Sequence, residues 1–178
     1  MERVTKILPK CYLRGVDILI FITVGTSSYQ FNRILEIVDE LCNEGIIEGN
    51  DIFAQTGVCE YKPMNYRYKS VVSYEEHQQY LKIADYIITH AGTGSIIGAL
   101  KNGKKVIALP RLEKNKEHVD DHQVEIVNAF NKKGYILTAN NKEELIKCIN
   151  EIDGFKGEKF ISNSKNINNI ITKFIENL

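Results

Sequence analysis

The stretch Ile87-Ile88-Thr89-His90-Ala91-Gly92-Thr93-Gly94-Ser95-Ile96-Ile97-Gly98-Ala99-Leu100 decides the fold. Asp85 to Thr89 predicts a buried strand, with Ile87 and Ile88 apolar and β-branched. A glycine-rich turn follows, and then the start of a helix at Ser95. Gly92 and Gly94 are expected to adopt backbone angles closed to other residues, so that the chain turns tightly and comes close to a ligand. Ser95 and the amides after it then lie at a helix N-terminus, where unpaired N–H groups and the positive dipole end suit a phosphate. A strand–glycine–helix junction also occurs in many α/β domains that bind nothing there. The stretch is neither a GxGxxG fingerprint with an acidic residue downstream nor a Walker A loop. The chain has no GK[ST], which argues against a nucleotide-hydrolysing P-loop.

Working outward, strands alternate with helices. Asp17 to Val24 is a continuous apolar run of strand length, as in a strand buried on both faces of a parallel sheet. The polar loop Gly25-Thr26-Ser27-Ser28 follows. Phe31, Ile34, Leu35, Val38, Leu41 and Cys42 fall at helical spacing, and Gly45 ends that helix. Further strands are predicted at Asp51–Thr56, Tyr68–Val72, Lys105–Leu109 and Tyr135–Leu137, and further helices at Glu75–Ala84 and Asp121–Lys132. Asn141 is expected to cap another helix, with Glu144 three residues on. Ile167, Ile170, Ile171, Phe174, Ile175 and Leu178 give a last helix one apolar face. The pattern predicts an α/β fold: a Rossmann-like parallel sheet with helices on both faces. Residues 1–17 read as an N-terminal extension, 18–153 as the domain, and 154–178 as a C-terminal helix packed on the domain or on a partner. In such sheets ligands bind at the carboxyl ends of the strands. Three polar loops are predicted there: Gly25 to Gln30, His90 to Ser95, and Arg111 to Gln123.

Composition narrows the function. The 178 residues suit one domain with a good core. Lys and Arg balance Asp and Glu at 23 each, so no basic excess supports a nucleic-acid partner. The longest apolar run, Ile18 to Val24, is too short to span a bilayer, and no signal peptide is evident. A cytoplasmic protein is expected. Cys11, Cys42, Cys59 and Cys148 are scattered without a CxxC, which predicts free thiols.

A second constellation is Glu117-His118-Val119-Asp120-Asp121-His122-Gln123-Val124-Glu125. His118 and His122 are four apart with two carboxylates between them. HExxH is absent, however, and the segment straddles a loop–helix boundary, so the two histidines need not share a face. No metal is expected. An N-cap at Asp120 or Asp121 accounts for the aspartates but not for Gln123 and Glu125.

TVGT at Thr23 to Thr26, HAGTGS at His90 to Ser95 and HxDDHQxE at His118 to Glu125, in this order, resemble the C-terminal domain of family 28 glycosyltransferases. The similarity is greatest to stand-alone members. These include the donor-binding subunit of the eukaryotic two-subunit enzyme that adds the second GlcNAc to dolichol diphosphate. They also include small bacterial subunits of capsule and exopolysaccharide synthesis, often galactosyltransferases. The resemblance covers about residues 18 to 150 and implies the C-terminal half of a GT-B glycosyltransferase. It implies that Gly92, Thr93, Gly94 and Ser95 hold the diphosphate of a UDP-sugar, the donor substrate, with no further cofactor. Gln123 would reach the sugar or phosphate, and Glu125 the sugar or ribose hydroxyls. Gly25 and Thr26 would line the cleft, and His90 would contact the donor or only brace the turn. The ribose-binding glutamate of the related peptidoglycan enzyme aligns with Gly98 here, so ribose recognition must come from elsewhere.

The resemblance further implies a membrane-associated partner subunit that binds a lipid-linked saccharide acceptor and recruits this chain to the cytoplasmic face. The chain length leaves room for the donor half alone. His118, His122 and Glu125 are candidates for the base that the acceptor hydroxyl needs, and the residues do not single one out. Two rival readings stand beside this one: a nucleotide-sugar sensor or regulatory module without turnover, and a phosphosugar isomerase-like domain, which would bind sugar phosphates without uridine.

Overall fold

The computed structural model describes residues 18–161. The extension at 1–17 and the predicted helix at Ile167–Leu178 lie outside the described residues. Among the described residues six strands form one wholly parallel sheet. They are β1 (Ile20–Thr23), β2 (Ile52–Gln55), β3 (Arg67–Lys69), β4 (Tyr86–His90), β5 (Lys105–Leu109) and β6 (Leu137–Thr138). Among the described residues four α-helices lie between strands, α1 (Asn32–Asn43), α2 (Tyr74–Ile83), α3 (Thr93–Lys101) and α4 (His122–Lys132), and α5 (Lys142–Glu151) follows β6. The spatial order is β3-β2-β1-β4-β5-β6. The chain therefore builds outward from β1 to one edge, returns across the sheet, and builds outward again from β4. The predicted Rossmann-like α/β architecture is the observed one.

The apolar runs have a plain cause. β1 and β4 lie in the middle of the sheet, and every one of their residues is buried. Ile22 and Ile88 face α1 and α5, packing with Ile34, Leu35, Val38, Leu41 and Leu145. Phe21 and Ile87 face the other way, packing with Leu81, Ile96, Ala99, Val106 and Val127 of α2, α3, β5 and α4. A strand covered on both faces cannot alternate polar and apolar residues. On the second face Phe53 and Tyr80 stack with centroids 4.2 Å apart, and Phe21 joins Tyr80 at 5.1 Å.

Helix ends follow local chemistry. Ser73 and Glu76 form a reciprocal capping box at α2. Asn141 caps α5 as expected, accepting from the Glu144 N–H at 2.8 Å. Two strands are displaced from their predicted positions. β3 ends at Lys69, and β6 begins at Leu137 rather than Tyr135. Pairing decides both cases, since β3 pairs where it faces Phe53 to Gln55 and β6 where it faces Ile107 and Ala108.

The long connection from β2 to β3 is held by one buried carboxylate. Asp39 on α1 accepts from the Tyr61 hydroxyl at 2.7 Å, the Met64 N–H at 3.0 Å and the Asn65 N–H at 2.9 Å. Burial alone would raise its pKa. The hydrogen bonds from Met64, Tyr61 and Asn65 outweigh that and hold it below the usual carboxylate range. Replacing Asp39 with Ala should cost about 2–3 kcal/mol, because several donors lose a charged acceptor at once. Urea denaturation at neutral pH measures this, and a loss under about 0.5 kcal/mol would show that the cage contributes little.

Candidate functional site

The strand order reverses between β1 and β4, and at such a switch point an open α/β sheet forms its ligand crevice outside the carboxyl ends of the strands. β1 leaves the sheet at Thr23, with its carbonyls directed to buried surroundings. The Thr89 hydroxyl donates to the Thr23 carbonyl at 3.0 Å, and His90 Nδ1 lies 3.3 Å from the same oxygen. A carbonyl only accepts, so Nδ1 carries the proton and Nε2 is left as an acceptor. Arg111 donates from a terminal guanidinium nitrogen to the Val24 carbonyl at 2.7 Å.

The His90 ring fills the space between the two crevice loops. A Cβ on Gly25 would lie 2.5 Å from His90 Cε1, and a Cβ on Gly92 would lie 2.2 Å from His90 Nε2. Gly25 also has φ +77°, in the left-handed region. Gly92 does not, since its φ is −68°, and Gly94 is an ordinary helical residue. The expectation that both turn glycines serve backbone angles is thus corrected. Gly92 is required by a neighbouring ring. At Gly94 a Cβ would meet open space. Burial and the nearby Arg111 cation push the His90 pKa down to about 4, against the Thr23 hydrogen bond, so the ring is neutral near pH 7.

Helix α3 begins beside this ring. Gly92 is its N-cap residue and no side chain caps it, so the first-turn N–H groups of Thr93, Gly94 and Ser95 are free for a ligand. Thr93 and Gly94 are exposed and Ser95 is half-buried, as is Gly25, while Thr26 is exposed. A Cβ at Gly98 would lie 3.5 Å from the Leu81 side chain, so this position faces α2.

The β5–α4 loop is fastened from within. Glu117, 6% exposed, makes a two-pronged ion pair with Arg33 at 2.8 Å and accepts from the Leu112 N–H at 2.9 Å. Arg33 also donates to the Pro110 and Asn140 carbonyls. Asp121 accepts from the Glu113 N–H at 2.8 Å. Gln123 accepts from the Arg111 N–H at 3.1 Å and is only 5% exposed. Gln123 is therefore buried at the helix start, and its oxygen shapes the loop. Glu125 is exposed.

Arg111 is the residue that sequence reading passes over. It is 1% exposed, its Nε has no hydrogen-bond partner, and its guanidinium lies 5.5 Å from the Phe31 ring centre. Arg33 sits over the same ring at 5.2 Å. Burial disfavours the Arg111 charge, yet guanidinium retains its proton in proteins. The crevice thus has a fixed cation beneath it. The available signal was position: a Pro-Arg pair directly after an apolar strand lies on the ligand side of a parallel sheet.

His118 and His122 do not diverge. Their rings are 4.6 Å apart, and both Nδ1 atoms face the same Asp120 oxygen, that of His118 at 3.2 Å and that of His122 in close contact. Tyr29, from the β1–α1 loop, lies over the His118 ring at 5.7 Å. A surface hollow bordered by Asp120, His122, Val124 and Glu125 adjoins them. A second hollow of about 500 Å³, between Ile18, Ile46, Tyr86 and Ile152, lies at the amino ends of the strands, opposite the crevice. Cys42, Cys59 and Cys148 are free thiols, and Cys11 lies outside the described residues. Among the described residues no helix is long and apolar enough to cross a membrane.

The glycosyltransferase family 28 C-terminal domain matches residues 19–178. The chain is 38% identical over 82 residues to the UDP-N-acetylglucosamine transferase subunit ALG13 of Candida albicans, over 46% of this chain and 26% of that protein. The chain thus spans about a quarter of that relative's length. The NMR solution structure of ALG13 shares the fold with a TM-score of 0.57, at 22% identity, over 82% of this chain and 90% of that one. The kitacinnamycin glycotransferase gives a TM-score of 0.55 at 16% identity, over 85% of this chain and 38% of the other. The fold is that of one half of a GT-B glycosyltransferase.

The neutral His90 has a measurable consequence. Its folded pKa, about 4, lies below the ordinary value of 6.5. Below pH 6.5 the unfolded chain binds a proton that the folded chain refuses. Stability from this group is full above pH 6.5 and is lost as pH falls toward 4, by up to about 3 kcal/mol. In His90→Asn this dependence should vanish. Urea midpoints at pH 7 and pH 4.5 for both proteins compare it, and parallel losses would mean that the ring is not held neutral.

Proposed function

The chain belongs to the family of glycosyltransferase family 28 C-terminal domains, and on that premise we propose that it binds a UDP-sugar as the donor half of a glycosyltransferase. The observation that carries the proposal is the uncapped α3 N-terminus at the sheet's switch point. The amides of Thr93, Gly94 and Ser95 receive the diphosphate, with the buried Arg111 cation adding positive potential from below. These groups are set before the ligand arrives, so they also stabilise the charge that develops on departing UDP. Gly25 and Thr26 line the other wall, while Gln123 and Glu125 reach the donor from the α4 side.

The transferred sugar is a hexose, GlcNAc or galactose. A UDP-N-acetylglucosamine transferase subunit among the relatives favours GlcNAc. The acceptor is a lipid-linked saccharide of capsular or exopolysaccharide synthesis. A membrane-associated partner subunit presents it at the cytoplasmic face and completes the cleft over Thr26 and Gly94. A base must take the acceptor hydroxyl's proton. His122 and Glu125 are exposed, whereas His118 is half-buried, so the first two are the better placed of the three candidates.

Calorimetric titration tests donor binding. UDP should bind in the micromolar to millimolar range, and ADP and GDP more weakly. Gly94→Val should weaken UDP binding at least about tenfold with the fold intact, because its side chain enters open space beside the phosphate amides. Equal affinity for the three nucleotides would reduce the crevice to a generic phosphate site.

Transfer should depend on the partner. Orientation of the two reactants contributes up to roughly 7–11 kcal/mol to such reactions. The purified chain with UDP-sugar and a lipid-diphosphate acceptor should turn over poorly, and membranes containing the partner subunit should restore activity. Full activity that the partner leaves unchanged would place acceptor binding and the base within this chain.

A further inference from the structure

We propose that His118, Asp120 and His122 form a binding site for one divalent transition-metal ion of the zinc class. The inference does not rest on the donor proposal, and a metal held by His122 would leave Glu125 as the better-placed base. One ligand atom from each residue lies within 4.8 Å of the other two. The His118 Nδ1 atom is buried and makes no hydrogen bond, although the Asp120 carboxylate is 3.2 Å away. An imidazole nitrogen buried without a partner is costly, and a metal–nitrogen bond would satisfy it. Asp120 also accepts from the His122 N–H at 3.1 Å at the start of α4, which fixes the carboxylate without involving His118. An aspartate that merely orients His122 leaves the His118 nitrogen unexplained.

The donor set selects the metal. Two imidazoles and one carboxylate suit zinc, cobalt, nickel, copper or iron, whereas magnesium and calcium favour oxygen ligands. Three protein ligands with an open side are typical of a site that keeps a position for water or substrate. The hollow bordered by Val124 and Glu125 adjoins two of the ligands, Asp120 and His122. The ligands sit on a prepared scaffold. Tyr29 covers the His118 ring, and the Arg33–Glu117 pair anchors the residue just before it. The neighbouring acids Glu117 and Asp121 are engaged by Arg33 and the Glu113 N–H, whereas the Asp120 carboxylate meets both imidazoles.

The test uses the full chain stripped with a chelator and titrated with Co²⁺ and then Zn²⁺. One Co²⁺ per chain should produce visible d–d absorption, which Zn²⁺ should displace. Competition with a chromophoric chelator should give micromolar or tighter zinc affinity. His118→Gln, Asp120→Asn and His122→Gln should each weaken it at least about tenfold. Circular dichroism checks that each variant is folded. If one does not fold, loss of the Co²⁺ spectrum on carbethoxylating the histidines of the native chain, with Zn²⁺ protecting them, gives the same information. Absence of cobalt absorption and of submillimolar zinc binding in the native chain would overturn the proposal. So would zinc affinity unchanged in the folded His118→Gln and His122→Gln variants.

Discussion

The carbonyls where β1 leaves the sheet impose the constraint on which the site depends. Past Thr23 the ladder ends, yet the chain is still inside the protein, and buried carbonyls need donors. Two come from the end of β4, through Thr89 and His90, and one comes from beyond β5, through Arg111. Satisfying two oxygens therefore draws three separate segments to one point. The histidine ring brought there needs space, which only glycine leaves at positions 25 and 92. The arginine brought there carries a charge that helps to keep that ring neutral. The shape of the crevice is a by-product of closing these hydrogen bonds.

A second brace acts at longer range. Arg33 begins on α1, pairs with Glu117 from the β5–α4 loop, and reaches the Asn140 carbonyl before α5. The elements on both sides of β5 are thereby fixed to the helix that follows β1. Such a loop does not rely on regular secondary structure for its form. Its own side chains, Glu117, Asp121 and Gln123, accept hydrogen bonds from its own backbone. The segment resembles a solvated run of charges in sequence, and in space several of its polar side chains are turned inward to hold its own backbone.

That contrast explains what could be read in the sequence. The central strands were legible because burial on both faces forces an unbroken apolar run, and the α5 cap because Asn141 and Glu144 are neighbours. The family was legible because three short motifs carry it in order. Gly92 was chosen for the right turn and the wrong reason, since what forbids a side chain there is the ring of His90 folding back over it. Arg111 and the burial of Gln123 were hidden because their partners, Val24 and each other, lie 87 and 12 residues away. The edge strands shifted because short strands take their limits from a neighbour rather than from their own residues.

The buried Arg111 guanidinium bears on how the protein meets an anion. Most surface cations are wrapped in water and counterions, which must be dismissed before contact is made. Arg111 has already shed its hydration shell during folding, and its Nε has no acceptor. A negative charge in the crevice would therefore meet a cation around which no solvent need rearrange.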